Sequence, residues 1–186
     1  KNDEITEKFS SICDARIIWG GDTSIREIRK FPIPERSIEI NFADKYSFCV
    51  LNSNSLKKLK KKELKNLAEK FFNDAYLLDQ NACSSPHLVV WLGKSNEKIK
   101  KVFWNEVHET VKKKYELAPI NIVKKYNNLL KDVIETDNIK DVKRYGNDLY
   151  RICVQKIKSD IEKRRGAFGT FYEYECRKID DISKIV

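Results

Sequence analysis

A chain of 186 residues is long enough for one well-buried domain and short for two, so a single core is expected. Its five cysteines (Cys13, Cys49, Cys83, Cys153 and Cys176) are widely spaced, odd in number and without a Cys-x-x-Cys pair, which argues against a disulfide framework and a zinc site and for a cytoplasmic setting. No apolar run approaches the ~20 residues of a bilayer-crossing helix. The net charge of +9 raises the possibility of a nucleic-acid partner. About three lysines stand to each arginine, however, whereas phosphate and base-edge recognition favours the bidentate guanidinium. Most of the excess therefore reads as solvated surface.

In chain order, the sequence begins at Lys1 directly in helix-forming residues, which suggests a piece of a longer protein. Glu4 to Ile12 predicts a helix with Ile5, Phe9 and Ile12 on one side, and Ala15 to Trp19 a short buried strand ending at Gly20-Gly21. Asp22-Thr23-Ser24 then caps a helix over Ser24 to Lys30. A strand, a double glycine and a capped helix start make a turn that suits an anion, or else only a tight connection. Phe31-Pro32-Ile33-Pro34 stops the helix. Ser37 to Ile40 and Tyr46 to Leu51 read as strands, with Glu39 on the first either a general base by position or a solvated carboxylate.

From Ser55 to Ala75 apolar residues recur at helical spacing for about five turns, and Lys57, Lys58, Lys60, Lys61 and Lys62 form the wet side of that helix. The helix leads into Asp79-Gln80-Asn81-Ala82-Cys83-Ser84-Ser85-Pro86, a short loop before the apolar strand Leu88 to Leu92. A cysteine there, followed by two small hydroxyl residues and a proline, can present its sulfur to a cleft; the alternative is a cysteine packed as a small hydrophobe. His87 invites a Cys–His pair but begins a buried strand. Ser95 is the expected N-cap of a helix through Tyr115, and Pro119 breaks it. A further helix over Ile120 to Ile134 and a short one closing at Gly146 follow. Leu149 to Val154 and Phe168 to Cys176 read as strands, and Lys158 to Gly169 as a mobile loop whose Arg164-Arg165 pair either meets a phosphate or is solvated. The alternation predicts an α/β fold, a mainly parallel sheet with helices on both faces and ligands collected at the carboxyl ends of the strands.

Taken together, Trp19-Gly20-Gly21-Asp22-Thr23, the strand pair around Ile38 to Leu51, and the Cys83 loop resemble the fatty acyl-CoA reductase (LuxC) family of the aldehyde dehydrogenase superfamily. Gly166-Ala167-Phe168-Gly169-Thr170 is similar to a late Phe-Gly-Thr stretch of that family. The resemblance implies an aldehyde-dehydrogenase-like catalytic domain spanning 1–186, beginning near the end of a dinucleotide-binding domain at about 1–30. It implies NADPH-dependent reduction of a fatty acyl-CoA to the aldehyde, with Cys83 as the acyl-accepting nucleophile and Gly20, Gly21 and Thr23 as cofactor contacts. Ile38-Glu39-Ile40-Asn41-Phe42 stands where the superfamily carries Glu-Leu-Gly-Gly-Lys, so a base at Glu39 does not carry over cleanly. A reductase needs none, because water must be kept from its acyl-enzyme. The implied partners are an acyl-CoA or acyl-protein donor, the acyl-transferase and acyl-protein synthetase of a fatty acid reductase complex, and further copies of the chain in a homo-oligomer; no nucleic acid and no membrane span are expected. The competing readings are a dehydrogenase that oxidises small aldehydes and a basic, non-catalytic nucleic-acid-binding module.

Overall fold

The computed structural model describes residues 2–43, 45–94 and 96–183. The chain divides into two compact units, Lys1–Lys45 and Tyr46–Val186, where one core was expected from length alone.

The first unit contains α1 (Asp3–Ile12), β1 (Ala15–Trp19), α2 (Asp22–Arg29) and β2 (Ile38–Phe42). Asn2 caps α1, its side-chain oxygen accepting from the Ile5 amide, as the short polar side chains preferred at that position do. The two strands pair in parallel with Arg16 opposite Glu39 and Trp19 opposite Phe42. Ile18 and Ile25 are its buried apolar residues. Helix α2 begins two residues earlier than expected, because Gly21 and not a side chain serves as its N-cap.

The second unit is built on a five-stranded sheet. Its strands are β3 (Ser47–Asn52), β4 (Pro86–Leu92), β5 (Ile139–Tyr145), β6 (Leu149–Val154) and β7 (Thr170–Cys176), in the order β3-β4-β7-β6-β5. All neighbours are parallel except β5, which runs antiparallel to β6. The period of two along β4 divides the core. Val89 and Trp91 join Phe71, Phe72, Phe103, Trp104 and Val107 on one face, where α4 (Lys61–Tyr76) and α5 (Glu97–Lys114) lie. Leu88 and Val90 join Tyr150, Ile152, Tyr172 and Leu129 on the other, where α6 (Pro119–Glu135) contributes.

Four expectations are corrected in this unit. The long helix from Ser55 is two: α3 (Ser53–Leu56), capped by Asn52, and α4, started by the Glu63 carboxylate accepting from the Lys60 amide at 2.7 Å. The residues before Gly146 form strand β5 and not a helix, because Gly146 takes φ 57° and turns the chain into a hairpin with Tyr145 opposite Leu149. Pro119 starts α6 at its first turn, where the missing N–H is not needed. The segment 158–169 is held at several points: Ile161 is buried and Arg164 pairs with Asp132 at 3.0 Å, so Arg164 is neither solvated nor offered to a phosphate. The Ser95 cap lies outside the described residues; Asn96 caps α5, accepting from the Ile99 amide at 3.1 Å. Among the described residues no helix is long and apolar enough to cross a membrane, and no group of three or more His, Cys, Asp and Glu could hold a metal ion.

Candidate functional site

Helix α4 ends at Tyr76, and the chain leaves it through Asp79 and Gln80, both in the left-handed region with φ 54° and 66°. That reversal turns the Gln80 side chain inward, where it is fully buried. Its amide nitrogen donates to the carbonyls of Pro86 at 2.9 Å and Thr170 at 2.8 Å, and its oxygen accepts from the amides of Gly169 and Thr170, each at 3.1 Å. All four hydrogen-bonding positions of one amide are thus spent on backbone, which ties the loop before β4 to the turn before β7. Asp79 adds two links: its carbonyl accepts from the Phe168 amide at 3.1 Å and its carboxylate from the Tyr115 hydroxyl at 2.5 Å.

Cys83 sits on the outer side of this frame. A turn closes around it, the Ser85 amide donating to the Ala82 carbonyl at 2.9 Å, and the Ser47 hydroxyl donates to the Cys83 carbonyl at 2.6 Å. Ser85 is itself anchored, its hydroxyl donating to the Asp74 carbonyl at 2.8 Å. Cys83 is exposed, whereas Cys13, Cys49 and Cys153 are partly covered and Cys176 is buried. Burial pushes the thiols of Cys49 and Cys153 up to about 12, with Asp74 and Glu173 adding to the effect, and raises that of Cys176 as well. A thiol held protonated in a covered position is a poor nucleophile.

The frame lies at the amino ends of the parallel strands: Cys83 precedes β4, the Phe168-Gly169 turn precedes β7, and Ser47 opens β3. The Cys83 loop therefore lies at the end of the sheet opposite the carboxyl ends, where ligands were expected to collect. The turn before β7 admits no bulk. A Cβ on Gly166 would stand 1.7 Å from the Thr170 carbonyl oxygen, and one on Gly169, at φ 78°, 2.4 Å from that of Asp148.

His87 is buried, stacks on Tyr46 with ring centroids 5.5 Å apart, and has its Nδ1 3.1 Å from the Gly166 carbonyl oxygen. These contacts give it a structural role in joining β4 to the turn at Gly166. Glu39 is taken up by ion pairs in the first unit: Arg29 at 2.6 Å and Arg16, with Asn41 donating at 3.0 Å. Hydrogen bonds from Arg29, Asn41 and Arg16 hold its carboxyl down at about 2, too acidic for a general base near neutrality. Gly20 and Gly21 lie between β1 and α2, with the Gly20 amide donating to the Phe42 carbonyl at 3.3 Å. A Cβ on Gly21 would meet nothing within 4 Å, and Thr23 is exposed in the first turn of α2. Sequence reasoning missed Gln80 as an anchor and the buried Lys125, whose only local sign is its spacing of four from Leu129 on the inner face of α6.

The fold is that of the aldehyde dehydrogenases. An aldehyde dehydrogenase from Brucella melitensis biovar abortus 2308 superposes with a TM-score of 0.61 at 12% identity, over 98% of this chain and 39% of that one. An NAD-dependent aldehyde dehydrogenase from Sinorhizobium meliloti gives 0.62 at 9% over 96% and 38%. Betaine aldehyde dehydrogenase from Staphylococcus aureus, in complex with NAD+, gives 0.58 at 13% over 97% and 39%. The chain thus spans well under half the length of these enzymes. No curated protein matches it. The chain belongs to the acyl-CoA reductase (LuxC) family, whose model matches residues 1–145.

Proposed function

We propose that this chain carries the acyl-accepting part of an acyl-CoA reductase, with Cys83 as the nucleophile. The observation that carries the reading is an exposed cysteine in a loop whose backbone is fixed from below by Gln80 and from the side by Ser47. The Cys83 thiolate attacks the thioester carbonyl, the carbon–sulfur bond to coenzyme A breaks, and coenzyme A leaves as its thiolate, to be protonated by solvent, giving an acyl-cysteine. In this reading the Cys83 amide donates to the oxyanion of the tetrahedral state. NADPH, when bound, supplies the hydride that releases the aldehyde and restores the cysteine thiolate.

The turn at Gly20-Gly21 fits the phosphates of such a cofactor. Gly21 leaves open space and α2 has no side-chain cap bond, so its first amides can meet an anion, with Thr23 beside them. Reduction is favoured over oxidation of small aldehydes because Glu39 is committed to Arg16 and Arg29 and cannot activate water. The long-chain acyl group, its delivery from coenzyme A or an acyl-protein by transferase and synthetase partners, and a homo-oligomeric assembly complete the reading. Membership of a reductase family speaks against a basic nucleic-acid-binding module.

The test uses the full-length enzyme with a labelled long-chain acyl-CoA and no reductant. A thioester is expected on the Cys83 peptide, and Cys83→Ala is expected to remove both that label and aldehyde formation. Label persisting in the variant, or mapping to Cys49 or Cys153, would show that another residue accepts the acyl group.

A further inference from the structure

Lys125 lies midway along α6 with 1% of its surface exposed. Its ammonium donates to three backbone carbonyls: Asn147 at 2.9 Å, Phe168 at 2.7 Å and Gly169 at 3.3 Å. The nitrogen also stands 4.2 Å from the centroid of the Tyr150 ring. Three donors and three acceptors match, so the group's hydrogen bonding is complete without a carboxylate. Burying a charge in this way costs several kcal/mol unless something is gained by it, and a methionine of similar volume would fill the space more cheaply.

The gain lies in what the carbonyls belong to. Phe168 and Gly169 form the turn whose other side faces the Cys83 loop: the Phe168 amide donates to the Asp79 carbonyl, and the Gly169 and Thr170 amides to Gln80. The turn is gripped by Lys125 through its carbonyls and by Asp79 and Gln80 through its amides. Phe168 is held at φ 55°, a conformation that a phenylalanine does not keep unless its surroundings impose it.

We propose that Lys125 is a positioning residue for Cys83, its ammonium fixing the Phe168-Gly169 turn and, through Gln80 and Asp79, the loop that aims the sulfur at a bound thioester. This rests on the reading of Cys83 as the nucleophile. Burial lowers the Lys125 pKa to about 7, against the opposing pull of Asp148, so the charge changes within an assayable range. The other titratable groups around it are Tyr150 on β6, with Arg144 of β5 beside the same ring, and Tyr76 and His108, which contact Asp148 or its backbone.

Two rates on Cys83 are compared in the full-length enzyme across pH 6 to 9: acylation by long-chain acyl-CoA without reductant, and alkylation by iodoacetamide. Both need the thiolate, so their ratio cancels its ionisation and reads the aim of the sulfur at the larger substrate. In Lys125→Met the ratio should fall by about tenfold at pH 6.5, with alkylation changed less than about threefold. In the wild type it should decline as pH rises through about 7, and in Lys125→Met it should be flat. If Lys125→Met does not keep its fold, Lys125→Ala decides: propylammonium in the buffer should raise acylation and 1-propanol should not. A ratio the same in wild type and Lys125→Met at every pH, or no rise with propylammonium in Lys125→Ala, overturns the proposal. Acylation that survives Cys83→Ala would instead overturn the nucleophile reading, so the two failures are separable.

Discussion

At the scale of single residues, the structural weight of the site falls on Gln80. Removing its amide leaves the amides of Gly169 and Thr170 and the carbonyls of Pro86 and Thr170 without that partner in a buried place. Unpaired buried groups of this kind cost about 1–3 kcal/mol each, partly relieved by relaxation. Gln80→Leu is accordingly expected to lose about 3 kcal/mol, read as a melting point lower by roughly 6–12 °C for a chain of this size. Gln80→Glu should be worse and pH-dependent. Its carboxylate would face two carbonyls, so burial and repulsion raise its folded pKa above the unfolded value; the variant is then relatively more stable below the unfolded pKa and loses that as pH rises through the folded one. Melting curves at pH 5 and pH 7 decide it, the pH 7 value being expected lower. The exposed loop position of Cys83 was legible because a cysteine before small hydroxyl residues and a proline is a local pattern. The role of Gln80 was not, since its partners Gly169 and Thr170 lie 89 and 90 positions away.

At the scale of elements, the strongly periodic segments were readable and the punctuated ones were not. Strand β4, which is buried along nearly its whole length, and helix α5 came out within two residues of their observed bounds, since a continuous apolar run and a 3.6-residue period have few alternatives. Strand β5 was misjudged because its burial alternates weakly at the sheet edge and the hairpin signal resides in Gly146 alone. Helix α6 misleads in another way: Val123, Leu130 and Val133 are exposed while Lys125 is buried, so the apolar stripe does not mark the inner face. In the β1–β2 pair a cross-strand ion cluster adds to the packing of Ile18 and the stacking of Trp19 on Phe42. Glu39, held at about 2, contributes stability that is fully present above its unfolded pKa near 4.5 and is lost as pH falls toward 2. Glu39→Gln should therefore weaken hydrogen-exchange protection of residues 15–19 and 38–42 at pH 6, and the difference from wild type should shrink as the pH approaches 2.

At the scale of the molecule, both faces of the five-stranded sheet are covered by residues from within Tyr46–Val186. The segment 46–186 expressed alone is expected to unfold in one cooperative thermal transition with its near-ultraviolet signal from Trp91 and Trp104 intact; a broad, non-cooperative melt would show that residues 1–45 are needed to complete the core. The α/β class and the parallel sheet followed from the alternation of elements. The end of the sheet at which the Cys83 loop lies did not, because the rule for open sheets concerns loops that leave the strands, and Cys83 lies on a loop that enters one.

Among the described residues, the non-glycine positions with left-handed backbone are Asp79, Gln80 and Phe168, and all three sit in the two turns joined beneath Cys83. Each such conformation costs about 1–3 kcal/mol, so these turns hold a reserve of stability that substitution could release. A laboratory selection for heat resistance would be drawn first to Phe168, where glycine adopts the same backbone at no steric cost. The protein that emerged would melt later with a slacker floor under its cysteine. In this scaffold, robustness and the hold on the Cys83 loop are set at the same few peptide bonds and have to be selected together.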